Sequence, residues 1–254
     1  MQDTGSKLFR VAVAGAKGRM GSETVRAVQS AADMILVAEI VRGGDTAASL
    51  EETRPDVLVE FSVPEGVMAN VRSALAARVI PLIGTTGISS DDRDEIAALS
   101  AEYETPALIA PNFALGAVLL MRFASEAARY LPDVEIIEMH HERKLDAPSG
   151  TAARTAEMIA EARRESGMTG KKSPEGTFET VPGARGGNVA GIPIHSVRLP
   201  GFVASQEVIF GAAGQRLSLR HDSTDRASFM PGVLLAIRKA HTLSGLVIGL
   251  ENVL

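Results

Sequence analysis

Near its N-terminus the chain carries an apolar run, Leu8-Phe-Arg-Val-Ala-Val-Ala14, which passes directly into a glycine-rich turn, Gly15-Ala-Lys-Gly18-Arg-Met-Gly21. A short apolar run that ends in glycine is typical of a buried parallel strand. Residues 22–30 follow with valines at helical spacing, so the sequence predicts a strand, a tight turn and a helix. The glycine spacing is a variant of the G-x-G-x-x-G fingerprint, in which backbone N–H groups at a helix N-terminus bind a pyrophosphate. Turn geometry alone is the alternative explanation of these glycines.

Strands and helices continue to alternate as far as residue 113. Apolar runs predict strands at 34–40, 56–61, 79–83 and 107–110, and helical spacing predicts helices at 65–78 and 91–103. Ser89 and Ser90 are the cap candidates of the second of these helices. Such alternation is typical of βαβ units around a parallel sheet. We therefore predict a Rossmann-like α/β nucleotide domain over residues 1–113.

The pattern changes after residue 113. Helices are predicted at 115–130 and 151–164, strands at 134–140, 192–199, 204–210 and 216–221, and a long glycine- and proline-rich loop at 167–191. The turn Gly211-Ala-Ala-Gly214 joins the last two strands as a hairpin. Because these strands follow one another without helices, we predict an inserted α+β domain over 114–225 with a mainly antiparallel sheet. A helix at 228–243 and a strand at 245–250 complete the nucleotide domain, as residues 226–254.

The composition excludes several classes of function. The 254 residues contain no cysteine, which removes disulfide scaffolds, thiolate metal sites and cysteine nucleophiles, so any redox chemistry needs a bound cofactor. The net charge of −5 does not favour binding to nucleic acid. No apolar run reaches the roughly 18 residues of a membrane span, and no apolar signal segment is present, so we expect a cytoplasmic protein. We expect the first seven residues to form a disordered tail.

Besides the glycine-rich turn, three loops that follow predicted strands are candidates for cofactor binding: the residues around Arg42, the turn 84–87 and the turn 110–113. Ligands of open parallel sheets bind at the carboxyl ends of the strands. Arg42 stands near the end of the second strand, where its fork of donors suits a 2′-phosphate, although Glu39 could hold ribose hydroxyls and Arg42 could be a solvated surface residue. We therefore expect NADPH to be used at least as well as NADH. The full set of expected cofactor-binding residues is Gly15, Ala16, Lys17, Gly18, Arg19, Met20, Gly21, Arg42, Gly84, Thr85, Thr86, Ala110, Pro111, Asn112 and Phe113.

The densest chemistry lies in Glu138-Met-His140-His141-Glu-Arg-Lys144-Leu-Asp146-Ala-Pro148-Ser149-Gly150-Thr151-Ala152. Adjacent side chains of a strand point to opposite faces, so the two histidines are expected to have different roles. Ser149 is a natural helix N-cap, and the N–H groups of Gly150 and Thr151 would face an anion such as a carboxylate. The histidine spacing does not fit the i, i+4 pattern of zinc proteases, and we predict no metal. An N-cap followed by exposed polar residues is the alternative without chemistry.

This segment and the glycine-rich turn resemble those of the bacterial dihydrodipicolinate reductase family, also called 4-hydroxy-tetrahydrodipicolinate reductases, of lysine and diaminopimelate biosynthesis. The family run E-x-H-H-x-x-K-x-D-x-P-S-G-T-A is complete here as residues 138–152, and the turns at 84–87 and 111–113 match in order. The resemblance implies an oxidoreductase that transfers a hydride from NADPH or NADH to a small cyclic imine dicarboxylate. It implies His140 as proton donor, Lys144 as second acid or charge stabiliser, and His141, Gly150 and Thr151 as binders of substrate carboxylates.

The resemblance also implies that residues 114–225 bind substrate, that their sheet mediates a homotetramer, and that the two domains close over the ligands. The chain departs from the family where the family often has an acidic ribose-binding residue and this chain has Val41-Arg42. Two alternatives remain open: another dinucleotide-dependent oxidoreductase, and a nucleotide sensor without activity. Gly183-Ala-Arg-Gly-Gly187 could be a second phosphate loop but is interpreted as a flexible connection, and His195 and His221 are interpreted as structural.

Overall fold

A computed structural model describes residues 8–170 and 175–254. The expected disordered tail, residues 1–7, lies outside the described residues, as do residues 171–174 of the predicted long loop. The chain divides into two compact units, which we call unit 1 (the residues up to Ala114 with Phe229–Leu254) and unit 2 (Leu115–Ser228). The chain thus passes between the units at 114/115 and 228/229. The domain boundaries predicted from the sequence were 113/114 and 225/226. The functional roles of the two units remain predictions.

The elements follow one another in an order that alternates at first and then does not. They are β1 (Phe9–Ala14), α1 (Arg19–Ser30), β2 (Met34–Ile40), α2 (Thr46–Thr53), β3 (Val57–Glu60), α3 (Pro64–Ala76), β4 (Ile80–Ile83), α4 (Ser90–Glu102), β5 (Ala107–Ile109), α5 (Leu115–Ala127), β6 (Asp133–His140), α6 (Gly150–Ser166), β7 (Gly187–Val189), β8 (Ile192–Arg198), β9 (Ala204–Ala212), β10 (Gln215–Ser223), α7 (Met230–Lys239) and β11 (Leu246–Ile248). Short 3₁₀ segments flank α7 and close the chain.

Unit 1 is built on a parallel sheet of order β11-β5-β4-β3-β1-β2, which confirms the predicted Rossmann-like fold class. Its central strands are buried on both faces: every residue of 11–14 and of 57–59 is fully buried. A parallel strand that is covered by helices on both faces reads as a continuous apolar run, which is why the sequence located these strands. The C-terminal strand β11 pairs in parallel with β5, so the end of the chain completes the sheet.

Two features of unit 1 were not anticipated from the sequence. Helix α1 begins at Arg19, inside the glycine-rich turn, whereas the sequence placed the helical residues at 22–30. Helix α2 was not predicted, because its eight residues include only one large apolar side chain, Leu50, and form too short a pattern. Its N-terminus is nevertheless marked by Asp45, whose side chain accepts the Ala48 N–H at 3.0 Å. The cap of α4 is Ser89, in a reciprocal capping box with Asp92.

Unit 2 contains a five-stranded sheet of order β10-β9-β6-β8-β7. Its neighbours are antiparallel except β6 and β8, which pair in parallel, so the predicted mainly antiparallel sheet is confirmed. Helices α5 and α6 cover one face of this sheet, and Leu120, Ile136, Ile159 and Phe210 belong to the core between them. Among the described residues of both units, no helix has the length and apolar character needed to cross a membrane.

The predicted loop at 167–191 is partly wrong, because Gly187–Val189 forms strand β7. Strand β7 pairs with β8 in a hairpin whose two central residues, Ala190 and Gly191, have φ values of +53° and +85°. Two positive φ values are the mark of a tight hairpin turn that suits the twist of the strands. Alanine rarely occupies the first position of such a turn, so the sequence carried only a weak signal.

We expect Gly232→Ala to destabilise unit 1 by about 3 kcal/mol, because a Cβ atom there would lie only 1.9 Å from the Phe113 carbonyl oxygen. Urea unfolding measures the change in the free energy of unfolding. The matched control is Gly66→Ala, in α3, where the nearest atom to the added Cβ is 3.7 Å away, and this variant should be neutral or slightly stabilised. Equal stability of the two variants would contradict the packing argument.

Candidate active site

A cleft of about 1010 Å³ lies in unit 1 at the carboxyl ends of the first four strands. Most of the expected cofactor-binding residues line it, namely Gly15, Lys17, Gly18, Arg19, Met20, Arg42, Gly84, Thr85 and Thr86. Ala16 and Gly21 are buried beneath the glycine-rich turn and do not line the cleft. The volume is that of a typical site for a drug-sized or cofactor-sized ligand.

The glycine-rich turn is shaped by its own packing. Gly15 has a φ of +73°, and a Cβ there would lie 2.3 Å from the carbonyl oxygen of Phe61. A Cβ on Gly21 would lie 2.0 Å from the carbonyl oxygen of Gly15, so α1 can approach β1 closely only with glycine at that position. Gly18 is the N-cap of α1 and gives the helix no side-chain cap. The N-terminal end of α1 is therefore free of an internal anion, which fits a bound phosphate group.

Arg42 and Glu39 are separated by the end of β2. Arg42 is exposed and lines the cleft, in a turn that Gly44 closes by donating its N–H to the Val41 carbonyl at 3.0 Å. Glu39 lies within β2, opposite Val13, and does not line the cleft. The geometry therefore favours a cation at the position where a ribose-binding acid would otherwise be found.

Residues 110–113, also expected to bind cofactor, do not line this cleft. Ala110 and Phe113 are buried, and the Phe113 ring packs edge-to-face against Phe61 at 5.7 Å between centroids. Asn112 accepts the Ala114 N–H at 2.8 Å, which turns the chain out of β5. Within unit 1 this segment serves packing, and a cofactor contact for it remains a prediction.

In unit 2 the predicted catalytic segment begins with two side chains on one face of β6. Residues i and i+2 of a strand share a face, and Oε2 of Glu138 lies 2.6 Å from Nδ1 of His140. The carboxylate is fully buried. Burial by itself would raise the pKa of Glu138, but hydrogen bonds from His140, Arg198 and Ser196 lower it to about 2. Glu138 is thus a carboxylate that orients the His140 ring and leaves Nε2 as its other nitrogen.

Arg198 completes this cluster from β8. It lies opposite His140 in the parallel register, and its two terminal nitrogens bond the two Glu138 oxygens at 2.9 and 2.7 Å. One of them also donates to the Asp146 carbonyl at 2.7 Å. The Ser149 N–H lies 3.3 Å from Glu138 as a further donor. The roles of Glu138 and Arg198 were not predicted from the sequence. The i, i+2 spacing of Glu138 and His140 could have indicated the first, whereas Arg198 is 60 residues from Glu138 along the chain and carries no local signal.

Lys144 and His141 lie in the turn after β6. Nζ of Lys144 contacts both carboxylate oxygens of Asp146, at 2.8 and 2.9 Å, and this ion pair lowers the pKa of Asp146. His141 is half-buried, and its Nδ1 has no partner among the described residues. Burial, followed by the nearby Arg143, lowers the pKa of His141, which favours the neutral ring.

The N-terminus of α6 follows this turn. Ser149 is its N-cap, and the Ser149 hydroxyl accepts the Ala152 N–H at 3.2 Å, as predicted for a capping serine. Gly150 is exposed and has open space around its Cβ position, and Thr151 is the next residue of the helix. Within unit 2 the structure therefore brings together a carboxylate-oriented histidine, a lysine and a helix N-terminus. This is a set that can bind an anion and supply a proton.

The remaining polar candidates have other partners. Glu179 accepts the N–H groups of Gly183 and Arg185, both at 2.8 Å, and these bonds lower the pKa of Glu179. An internal acid thus occupies the turn that could have held a phosphate. His195 of β8 lies 2.7 Å from Glu135 of β6, on the same two strands as the Glu138 cluster. Over residues 8–170 and 175–254, no three metal-ligating side chains form a cluster.

A Rossmann-like unit with an open cleft, and a second unit that holds a carboxylate-oriented histidine, a lysine and a helix N-terminus, are together typical of a nucleotide-dependent oxidoreductase. Family models described as "Dihydrodipicolinate reductase, N-terminus" and "Dihydrodipicolinate reductase, C-terminus" match residues 9–113 and 116–254. The chain belongs to the dihydrodipicolinate reductase family, and the predicted resemblance is confirmed.

Relatives named 4-hydroxy-tetrahydrodipicolinate reductase support this assignment over the full length. One from Desulfitobacterium hafniense is 49% identical and the alignment covers 98% of this chain and 99% of the relative. One from Streptomyces avermitilis is 50% identical, with 98% of each chain covered. The solved structure of a dipicolinate-bound dihydrodipicolinate reductase from Paenisporosarcina sp. TG-14 is 41% identical, with a TM-score of 0.86 over 98% of this chain and all of that one.

The buried carboxylate of Glu138 should make stability depend on acid pH. The folded pKa of about 2 lies below its ordinary value of 4.5, so the stabilisation is complete above pH 4.5 and is lost as the pH falls toward 2. The difference between the folded and the ordinary pKa of Glu138 corresponds to about 3 kcal/mol of stabilisation. We expect the free energy of unfolding of the wild type, relative to Glu138→Gln, to fall by that order in urea titrations across this range. Parallel pH curves for the two proteins would contradict it.

Proposed function

We propose that the chain reduces 4-hydroxy-tetrahydrodipicolinate (dihydrodipicolinate) to tetrahydrodipicolinate with NADPH or NADH, in lysine and diaminopimelate biosynthesis. The observation that carries the proposal is the fixed His140–Glu138 pair within a complete family segment, beside Lys144 and the N-terminus of α6. Full-length relatives that bear this activity in their names support the substrate class. The structure bound to dipicolinate, a cyclic dicarboxylate, belongs to a relative that is 41% identical.

The cleft of unit 1 suits the dinucleotide. The uncapped N-terminus of α1 would bind the pyrophosphate, with Lys17 and Arg19 adding positive charge, and Arg42 would bind a 2′-phosphate. Gly84, Thr85 and Thr86 line the same cleft, and the contacts expected of residues 110–113 are retained as part of the proposal. When bound, the reduced nicotinamide supplies the hydride.

The residues of unit 2 would handle the proton and the carboxylates. His140 would donate the proton from Nε2, because Glu138 accepts the N–H at Nδ1 and fixes the ring. Lys144 would stabilise negative charge on the substrate, for which its ion pair with Asp146 must open. His141 and the N–H groups of Gly150 and Thr151 would bind the carboxylates. Hydride and proton together reduce one double bond of the ring, and a hydroxylated substrate would also lose water.

We further propose a cytoplasmic homotetramer that assembles through the sheet of unit 2. The support within the chain is β10, a nine-residue edge strand most of whose residues are exposed. Long exposed edge strands invite pairing or covering by another chain. The proposed protein partner is therefore a second copy of this chain. The proposed ligands are small molecules, the dicarboxylate substrate and the nucleotide.

A coupled reductase assay tests the proposed reaction. The dicarboxylate substrate is generated in the assay, and oxidation of NADPH and of NADH is followed side by side at 340 nm. Substrate-dependent oxidation supports the proposal. Nucleotide binding without turnover would favour the sensor alternative, and turnover with a different amino or imino acid alone would favour another oxidoreductase.

We expect His140→Ala to lower kcat by roughly 10²–10⁴-fold and to change the substrate KM less, because a positioned acid acts mainly in the transition state. Steady-state kinetics with purified protein measure both constants. The matched control is His195→Ala, which removes the other carboxylate-paired histidine of unit 2 and should leave kcat near the wild-type value. An unaltered kcat in His140→Ala would exclude it as the proton donor.

We expect Arg42→Ala to raise the KM for NADPH by about tenfold and to leave the KM for NADH nearly unchanged, since only NADPH carries the 2′-phosphate. The control is Arg93→Ala, which removes an exposed arginine of α4 outside the cleft. A strong preference of the wild type for NADH that Arg42→Ala does not change would contradict the assignment of Arg42 to the 2′-phosphate.

A further inference from the structure

A buried carboxylate lies behind the wall of the unit 1 cleft. Glu60 is the last residue of β3 and is fully buried. Its Oε1 accepts the Ser62 N–H at 2.8 Å, the Ser62 hydroxyl, and the Thr85 hydroxyl at 3.1 Å. Its Oε2 accepts from Nδ2 of Asn70 at 3.0 Å. The three donor residues line the cleft, whereas Glu60 itself does not.

The same network reaches a third segment of the cleft. The Thr46 hydroxyl donates to Oδ1 of Asn70 at 2.6 Å, and Thr46 is the first residue of α2, just beyond the turn that carries Arg42. Four donors are directed at the two oxygens of Glu60, so Glu60 acts as the acceptor; Nδ2 of Asn70 therefore faces Glu60 and its Oδ1 faces Thr46. Glu60 therefore fixes the direction of every hydrogen bond from Thr85 to Thr46.

Packing does not explain a carboxylate at this position. The neighbouring strands β1 and β4 end in Ala14 and Ile83, which are equally buried and apolar. A buried carboxylate is costly unless its oxygens are well bonded. The donors to Glu60 are hydroxyls, an amide and a backbone N–H, whereas Glu138 in unit 2 has a guanidinium. What the donors to Glu60 share is that they belong to segments lining the cleft.

The network also determines what the cleft offers to a ligand. A hydroxyl has one hydrogen, and Ser62 and Thr85 donate theirs to Glu60. The Ser62 oxygen also accepts from Nδ2 of Asn70 at 3.4 Å. One lone pair of Ser62 and those of Thr85 are therefore left for a hydrogen-bond donor on the ligand. An ionised phosphate has no hydrogen to donate, so these positions do not suit the phosphates, which match the N-terminus of α1 instead.

We propose that Glu60 is a positioning residue for nucleotide binding, which turns Ser62, Asn70 and Thr85 so that the cleft presents acceptor oxygens to a hydrogen-bond donor of the nucleotide. The inference rests on the proposed function. It also couples this part of the cleft to the segment beside Arg42, through the bond between Asn70 and Thr46.

The test compares nucleotide binding and thermal stability in three variants. We expect Glu60→Leu to raise the Kd for NADPH by about 10–100-fold, because four hydrogen bonds that orient the cleft are lost. Glu60→Gln should stay within about threefold of the wild type, since its carbonyl accepts from Ser62 and Thr85 while Asn70 turns its amide over. Val59→Ala, in the same strand, lowers stability without touching the network and should leave the Kd within about twofold. Fluorescence titration with NADPH measures the Kd. The KM for the dicarboxylate should stay near the wild-type value in the variants whose Kd for NADPH rises.

A fourth variant, Asn70→Asp, tests the network without depending on Glu60→Leu being folded. Asn70→Asp places two carboxylates where the amide now donates at 3.0 Å, and such a pair retains one shared proton to an unusually high pH. We expect its affinity for NADPH, taken as a ratio to the wild type at each pH, to fall by about tenfold between about pH 6 and about pH 9, as the shared proton is lost. Because Asn70 lines the cleft, the added charge also repels the anionic nucleotide directly, so the ratio is measured at low and at high salt. A positioning role keeps the pH profile where salt screens that repulsion.

The outcomes separate this inference from the proposed function. Absence of NADPH and NADH binding by the wild type would overturn the proposed function, and this inference with it. If Glu60→Leu binds NADPH as tightly as the wild type, the inference alone is overturned. The same holds if Val59→Ala has the melting temperature of Glu60→Leu and loses NADPH affinity to the same extent. A ratio for Asn70→Asp that does not change with pH would do the same.

Discussion

The buried ion pair between Glu138 and Arg198 joins segments that are far apart in the sequence. Removing a carboxylate from water is costly, and here a two-pronged guanidinium, a histidine and a backbone N–H together offset that cost. Because the same guanidinium also bonds the Asp146 carbonyl, the pair fixes the turn that carries Lys144 as well as the ring of His140. The arrangement follows from the parallel register of β6 and β8, which sets Arg198 opposite His140.

The cleft of unit 1 depends on a different constraint, which is the close approach of one backbone segment to another. Gly15 and Gly21 leave no room for a Cβ against the neighbouring carbonyl groups, so α1 can begin only where it does. The start of α1 at Arg19, inside the glycine-rich turn, is what places an uncapped helix N-terminus at the cleft. The glycines therefore act on the ligand indirectly, since packing positions the donors that a phosphate would use.

The sequence predicted those parts of the fold and site that are local. Apolar runs such as 8–14 indicated the parallel strands, and the contiguous segment 138–152 contained His140, Lys144 and the N-terminus of α6. It could not predict Arg198, because the contact depends on the register of two strands whose residues are 60 positions apart. It also missed α2 and β7, whose patterns are too short for periodicity to resolve. The cofactor contacts expected at 110–113 rested on strand-end position alone, and the side chains at Ala110 and Phe113 are packed inside unit 1.

Both units place a fully buried carboxylate near the carboxyl end of a strand, and its partners decide what each one does. Glu138 is paired with a cation, so its charge is balanced locally and it can hold a histidine next to the N-terminus of α6. Glu60 is bonded to neutral donors, and as their shared acceptor it instead dictates the direction in which hydroxyl and amide groups point. An apolar residue at either position would avoid the desolvation cost of the carboxylate, but it would leave the Arg198 guanidinium, or the donors of Ser62, Asn70 and Thr85, without their acceptor. That neither position is apolar is explained by the orientation each carboxylate imposes on the side chains around it.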